Sequence, residues 1–434
     1  MKFRKFLQPL VCALALTVSA GVVTSSVALA AKAKAEAEYP NTKRSEPKND
    51  LREADQKKLS KAQDLIGEDN AKAQELLQDV IDKSKSNYAK AFAHQLLSSV
   101  YSELEQDDKA ISEQQAALDS NGLPNDAHFG AMYRLAQMQV QAEKYQDALT
   151  TLDTWATEGG KTTADSDALR GNIYYRLDKY QDAINAINKA NAASEKANDG
   201  WNQILMASYF ELNQFPQAAE VAKAQLAKNP KDMKLVKQLA TVYVQGDNYP
   251  AAMELLSKAK NDGLITTSDD YVQLAKLYAN AEKPKDAAAV LKEGLDKGIV
   301  SGDYENYRLL GDTSAQAEDD AGALAAYAKA SPLAKDGYVD YQRGYLLYYT
   351  EHPQEAKAAM DLAIQKGNIK QEGEAYLIRG DVNSELNQDA AAMADWQKAA
   401  GYPSTKTMAE QRIKASKGGV KMKKSPKPGS KTGK

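Results

Sequence analysis

Residues 167–193 read DALRGNIYYRLDKYQDAINAINKANAA. Apolar residues recur at spacings of three and four on both sides of a polar turn centred on Asp178 and Lys179. The stretch is therefore two helices, each with one stripe to bury. The second helix contains Ala183, and an alanine returns at nearly the same interval along the chain. The ladder is Ala73, Ala110, Ala148, Ala183, Ala218, Ala252, Ala287, Ala323, Ala356 and Ala392, with gaps of 33 to 38 residues. Repetition at that period, built on a small residue, predicts a helical solenoid. A single hairpin cannot cover its own stripes, whereas stacked hairpins cover one another's. The expectation is an all-α array without one central core, wound as a right-handed superhelix.

Twelve residues before eight of the ten rungs, the first helix carries a second small residue: Ser98, Ala136, Gly171, Ala240, Ala275, Gly311, Gly344 and Gly380. Glycine inside a helix costs about 1 kcal/mol relative to alanine. Its repeated use at one place implies a steric demand where the two helices of a hairpin meet.

The ends follow different rules. Met1–Lys5 is short and basic, an apolar stretch runs from about Leu10 to Val23, and Ala28-Leu29-Ala30 is a small-residue processing site. This is the layout of a cleavable secretory signal over residues 1–30. The other reading is an uncleaved anchor holding the chain to the inner membrane on its periplasmic side, for which Thr17, Ser19, Thr24, Ser25 and Ser26 make a poor spanning helix. The single cysteine, Cys12, lies in this segment, so the processed chain has neither disulfide nor thiolate metal site. Residues 31–50 are polar, contain two prolines and read as a linker. Residues 51–415 hold about ten hairpins, the first of them degenerate. Residues 416–434, rich in glycine, proline and lysine, read as a disordered basic tail. Bends are expected at the longer junctions 121–124 and 158–161.

Net charge is −3. The first five residues carry +3 and the eight lysines of 414–434 carry +8, which leaves −14 on residues 31–413. An acidic body on an exported chain argues against nucleic-acid binding. The lysines have two readings, a weak contact with an anionic surface or a solubilising end.

Catalytic signatures do not emerge. The three histidines, His94, His128 and His352, lie outside metal-ligand spacing of one another, and no nucleophile–base motif or phosphate-cradling glycine loop is present. His94 reads as a packing residue. Carboxylates such as Glu318-Asp319-Asp320 read as solvated turns. No enzyme activity, cofactor or metal is expected.

The repeat plan resembles the tetratricopeptide repeat (TPR) family, whose pattern is a large apolar residue, then leucine-glycine, tyrosine, alanine, an aromatic and a further alanine, often closed by proline. ALRGNIYYRLDKYQDAINAINKA supplies Gly171, Tyr174, Tyr180, Ala183 and Ala190. LATVYVQGDNYPAAMELLSKA supplies Leu239, Ala240, Tyr243, Tyr249, Ala252 and Ala259. LLGDTSAQAEDDAGALAAYAKA supplies Leu310, Gly311, Ala323, Tyr327 and Ala330. The unit from Trp201 to Pro230 departs by placing Met206 where a small residue is expected.

The resemblance implies a non-catalytic scaffold that binds protein partners along a concave wall of first-helix residues. Mapped here, that wall takes Tyr338, Tyr341, Tyr345, Tyr348 and Tyr349 from one repeat, and Tyr133, Tyr175, Arg176, Phe210 and Arg308 from others. Tyrosine offers a flat apolar body and a hydroxyl, which suits an extended peptide or a glycan. Inter-repeat core is the competing reading for the tyrosine stripe. The whole-chain layout is similar to periplasmic TPR proteins found beside TonB-type energy-transduction systems. That likeness implies an accessory of outer-membrane uptake. An envelope structural or assembly factor contacting peptidoglycan, polysaccharide-export or outer-membrane assembly machinery is the alternative.

Overall fold

The computed structural model describes residues 37–418, apart from Asn49 and Ala197. The expected signal segment and nearly all of the lysine-rich tail lie outside the described residues. Within them the chain is all-α, with 21 α-helices and one 3-10 turn, and no described helix is long and apolar enough to cross a membrane. The helices fall into two units, divided between Pro230 and Lys231.

The first unit contains five hairpins. They are α1 (Glu53–Leu65) with α2 (Asn70–Lys83), α3 (Asn87–Glu103) with α4 (Asp107–Asp119), and α5 (Asn125–Gln141) with α6 (Tyr145–Gly159). α7 (Ala164–Arg176) with α8 (Tyr180–Ala192) and α9 (Asp199–Glu211) with α10 (Phe215–Lys228) complete it. The second unit contains five more. They are α11 (Met233–Gln245) with α12 (Tyr249–Asn261), α13 (Ser268–Asn280) with α14 (Pro284–Asp296), and α15 (Tyr304–Gln316) with α16 (Asp320–Ala330). α17 (Tyr338–Tyr349) with α18 (Pro353–Lys366) and α19 (Glu372–Glu385) with α20 (Asp389–Ala399) follow. A last helix, α21 (Lys406–Lys417), packs on α20. Within each unit the second helix of a hairpin packs against the first helix of the next, so the apolar stripes are covered by neighbours.

All ten ladder alanines are at most 1% exposed. The small first-helix residues leave room for the side chain sixteen places further on. A Cβ on Gly171 would stand 2.6 Å from Ile187, one on Gly344 would stand 2.9 Å from Met360, and one on Gly380 would stand 2.6 Å from Trp396. The exception obeys the same rule in reverse. Met206 is fully buried, and sixteen residues later the chain carries Ala222, also fully buried, in place of a large residue. Volume is exchanged between the two sides of the hairpin rather than lost.

The hairpin turns share one backbone device. Five residues before the ladder alanine, nine hairpins place a non-glycine residue in the left-handed region: Glu105, Glu143, Asp178, Asn213, Asp247, Glu282, Glu318, Glu351 and Asn387, with φ between 56° and 65°. The next residue donates its N–H to the carbonyl five places back, at 2.7–3.0 Å in every case. This closes the first helix in a Schellman motif. The degenerate first hairpin uses Gly67, at φ 86°. Glu318-Asp319-Asp320 is therefore a shaped turn. Glu318 adopts the left-handed conformation and Asp319 caps α16 through the N–H of Gly322 at 2.9 Å.

The linker reading of residues 31–50 is corrected over its described part. Tyr39 is 6% exposed and lies 4.8 Å from the ring of Phe129 and 6.0 Å, edge-on, from Trp155. Arg44 donates to Asn125 at 2.6 Å and to Asn121 at 2.8 Å, the N–H of Glu38 donates to Asp126, and Lys161 donates to the Glu38 carbonyl. The segment is a strap across α5 and α6. Gly159 and Gly160 make space for it, since a Cβ on either would stand 3.0 Å from Tyr39 and 2.9 Å from Asn41 respectively. The junctions 121–124 and 158–161 thus hold the strap inside the first unit, and the division between units falls elsewhere.

Candidate functional site

The first helices of the last repeats meet side by side and carry a run of aromatic and acidic residues. On α15, the Asp312 carboxylate accepts from the hydroxyl of Tyr327 at 2.8 Å and from that of Tyr338 on α17 at 3.2 Å. Burial raises the Asp312 carboxyl above the ordinary carboxylate range, against the two hydroxyls and Arg308, which pull it down. Arg308 lies 5.9 Å from the ring centroid of Tyr304 and 5.7 Å from that of Tyr338, and it pairs with Glu305 at 2.9 Å. Its buried Nε has no hydrogen-bond partner. Arg308 is thus held by two aromatic faces, an arrangement suited to the planar guanidinium.

One repeat further on, α17 meets α19. The hydroxyl of Tyr348 donates to Asp381 at 3.3 Å. Asp381 also accepts from Trp396 at 3.0 Å and from Arg412 of α21 through Nε at 2.9 Å and Nη2 at 3.1 Å. Two turns earlier on α19, Glu374 faces the hydroxyl of Tyr341 and lies near Tyr345 and Tyr349. Tyr345 and Tyr349 are 4.8 Å apart, with Tyr341 6.3 Å from Tyr345 and Tyr348 5.0 Å from Tyr349. Burial, then Tyr349 and Glu374, push the Tyr345 phenol up to about 12. Burial, then Asp312, push Tyr338 to the same value.

This geometry divides the expected tyrosine stripe. Tyr341 and Tyr348 are each 4% exposed and belong to the core formed with Met360, Ala375, Ile378 and Val382. Their assignment to a partner-binding wall is corrected: the next first helix packs over them, and its Asp381 receives the Tyr348 hydroxyl. Tyr338, Tyr345 and Tyr349 are partly exposed, and so is Arg308. Together they form the accessible part of the face.

In the first unit the expected wall residues are more deeply engaged. Tyr175 is 7% exposed, with its ring 5.6 Å from Tyr180, which corrects its placement on an open wall. Tyr133 packs on Trp155 at 5.3 Å, and Phe210 packs on Phe215 at 5.3 Å; both are partly exposed, as is Arg176. The structure brings Arg308 beside Tyr338 and joins Tyr341, Tyr345, Tyr349 and Tyr348 in one run of rings. It leaves Tyr133, Tyr175, Arg176 and Phe210 as separate positions within their own unit. His94 is partly buried, with Nδ1 2.7 Å from Glu113 on the facing helix.

The acidic half of the face, Asp312, Glu374 and Asp381, was missed from sequence. A signal was present: Asp312, Tyr345 and Asp381 each directly follow the small residue of their first helix, at one shared register position.

Residues 124–214 match a model described as a tetratricopeptide repeat-like domain, and residues 208–263 match a tetratricopeptide repeat model. No curated protein matches the chain. Among solved structures, a TPR protein from Parabacteroides merdae is 17% identical, with 60% of this chain and 98% of that one covered at a TM-score of 0.39. The C-terminal part of a TPR repeat-containing protein from Cytophaga hutchinsonii is 16% identical, with coverages of 56% and 98% and a TM-score of 0.40. YrrB, described as a TPR protein with an unusual peptide-binding site, is 19% identical, with coverages of 45% and 99% and a TM-score of 0.37. The plan that the two family models match over residues 124–263, with its ladder alanine, its facing side chain and its left-handed turn, continues through the helices on either side: the chain has an all-α fold of the tetratricopeptide repeat type.

Proposed function

We propose that the chain is an exported, non-catalytic scaffold that binds a protein segment along the first-helix face of its second unit. The observation that carries this reading is the partly exposed pair Tyr345 and Tyr349, set on a rigid core beside the carboxylate of Glu374. Broad aromatic side chains on a fixed scaffold give contact area at small entropic cost. The apolar stretch before Ala28-Leu29-Ala30, the acidic body and the lysine-rich end support a periplasmic accessory of a TonB-type energy-transduction complex. Retention of that stretch as an inner-membrane anchor would leave the repeats in the same compartment.

A second reading, an envelope structural or assembly factor, is favoured by the same rings, which would equally suit the flat faces of a glycan. Co-purification of the native chain with envelope components, repeated with Tyr345→Ser and Tyr349→Ser, tests the choice. Loss of protein partners on substitution supports the scaffold. Retention of glycan binding with no dependent protein partner supports the second reading.

A further inference from the structure

Where α17 meets α19 the face already holds a basic side chain, and its position shows how it does so. Arg412 sits on Asp381 through two hydrogen bonds, with Tyr348 and Tyr349 close enough to perturb its charge. Seven residues before Asp381, on the same face of α19, Glu374 stands in a second aromatic setting made by Tyr341, Tyr345 and Tyr349. The two places share one chemistry: a carboxylate of α19 beside the packed tyrosine rings of α17. They differ in that Glu374 forms no ion pair among the described residues.

We propose that Glu374, Tyr345 and Tyr349 form a seat for a lysine or arginine presented by an extended segment of a partner protein. The inference rests on the scaffold reading above and adds the chemistry of the partner. The carboxylate would neutralise the cation while the ring faces of Tyr345 and Tyr349 stabilise it electrostatically. The aliphatic stem of the basic residue would lie along the apolar edges of the same rings. The fixed ring pair, braced by the core beneath it, orders the seat before the partner arrives. An acidic or purely apolar segment would leave Glu374 desolvated without a counter-charge.

The test uses the full chain and a fluorescein-labelled peptide of alternating serine and lysine, read by anisotropy at fixed salt. The same peptide with every lysine acetylated, which removes charge while keeping length, is the comparison. Glu374→Gln and Tyr345→Leu are each expected to weaken binding of the lysine peptide about fivefold or more. Glu220→Gln, on the first unit, and acetylated-peptide controls calibrate charge effects away from the seat. Circular dichroism verifies that each variant is folded. Equal binding by wild type, Glu374→Gln and Tyr345→Leu would overturn the proposal, as would equal binding of the acetylated peptide. A photo-crosslinker at position 345 that reacted with the chain's own lysines at 414–434 would also overturn it. A crosslink to a partner protein that is unchanged by Glu374→Gln would leave the scaffold reading standing and remove the basic-residue seat alone.

Discussion

Gly311 on α15 faces Tyr327 on α16 so closely that a Cβ on the glycine would stand 2.4 Å from the tyrosine ring. That approach lets the Tyr327 hydroxyl pass beneath α15 and reach Asp312 at 2.8 Å. A steric allowance inside one hairpin therefore fixes a carboxylate on the face shared with the next. Gly311→Ala is expected to destabilise the second unit by about 1–3 kcal/mol through overpacking. Combining it with Tyr327→Leu should cost less than the sum of the two single changes, because the smaller side chain removes the clash. Denaturant unfolding of the four chains checks this; strict additivity would show that the contact does not govern the packing.

The left-handed turn residues offer a way to stabilise the array. Glu143 has φ 59°, a conformation that costs a side-chain-bearing residue roughly 1–2 kcal/mol. Glycine there relieves the strain but gains freedom in the unfolded chain, an offset of about 0.4–1 kcal/mol. Glu143→Gly should raise stability by roughly 0.5 kcal/mol, and Gly67→Ala should lower it by about 1 kcal/mol. Thermal melts of both variants measure the two signs, and a loss in the first would show that the turn is held by the Glu143 side chain.

The tyrosine stripe separates into two behaviours. Tyr341→Ala and Tyr348→Ala each empty a buried position and should cost about 3–5 kcal/mol. Tyr345→Ala and Tyr349→Ala remove partly exposed rings and should cost far less while weakening partner binding. Equilibrium unfolding of all four variants distinguishes this pattern from a stripe that is uniformly surface or uniformly core.

The spacing of the ladder alanines and of the small residues twelve places before them carried the repeat architecture, because both answer to contacts inside a hairpin that recur at fixed register. The site was only partly legible for the same reason. Whether Tyr341 is wall or core depends on how closely the next first helix approaches, a relation between repeats that Gly344 and Ala356 do not encode. The strap was hidden because Tyr39 is a single aromatic in a polar stretch, and its partners Phe129 and Trp155 lie about ninety residues and more away.

That strap also creates a pH dependence. His128 lies against Phe129, 7% exposed, and its Nδ1 has no partner. Burial, then the charge of Arg44, push its imidazole down to about 4, below the unfolded value of about 6.5. Over that window the unfolded chain binds the proton and the folded chain does not. The contribution of His128 is therefore complete above pH 6.5 and is lost as pH falls toward 4, by up to about 1.4 kcal/mol per unit. Stability of the wild type should decline across this window more steeply than that of His128→Phe. Parallel slopes would remove His128 as the cause.

Site-specific photo-crosslinking in living cells, with the reactive residue placed in turn at positions 345 and 220, addresses the partner-binding face most directly. The expected result is a discrete protein adduct from position 345, absent from position 220 and diminished by Tyr349→Ser in a chain that remains folded. Discrete adducts from position 220 alone, or none from position 345 in the folded chain, would contradict the assignment of this face to a protein partner.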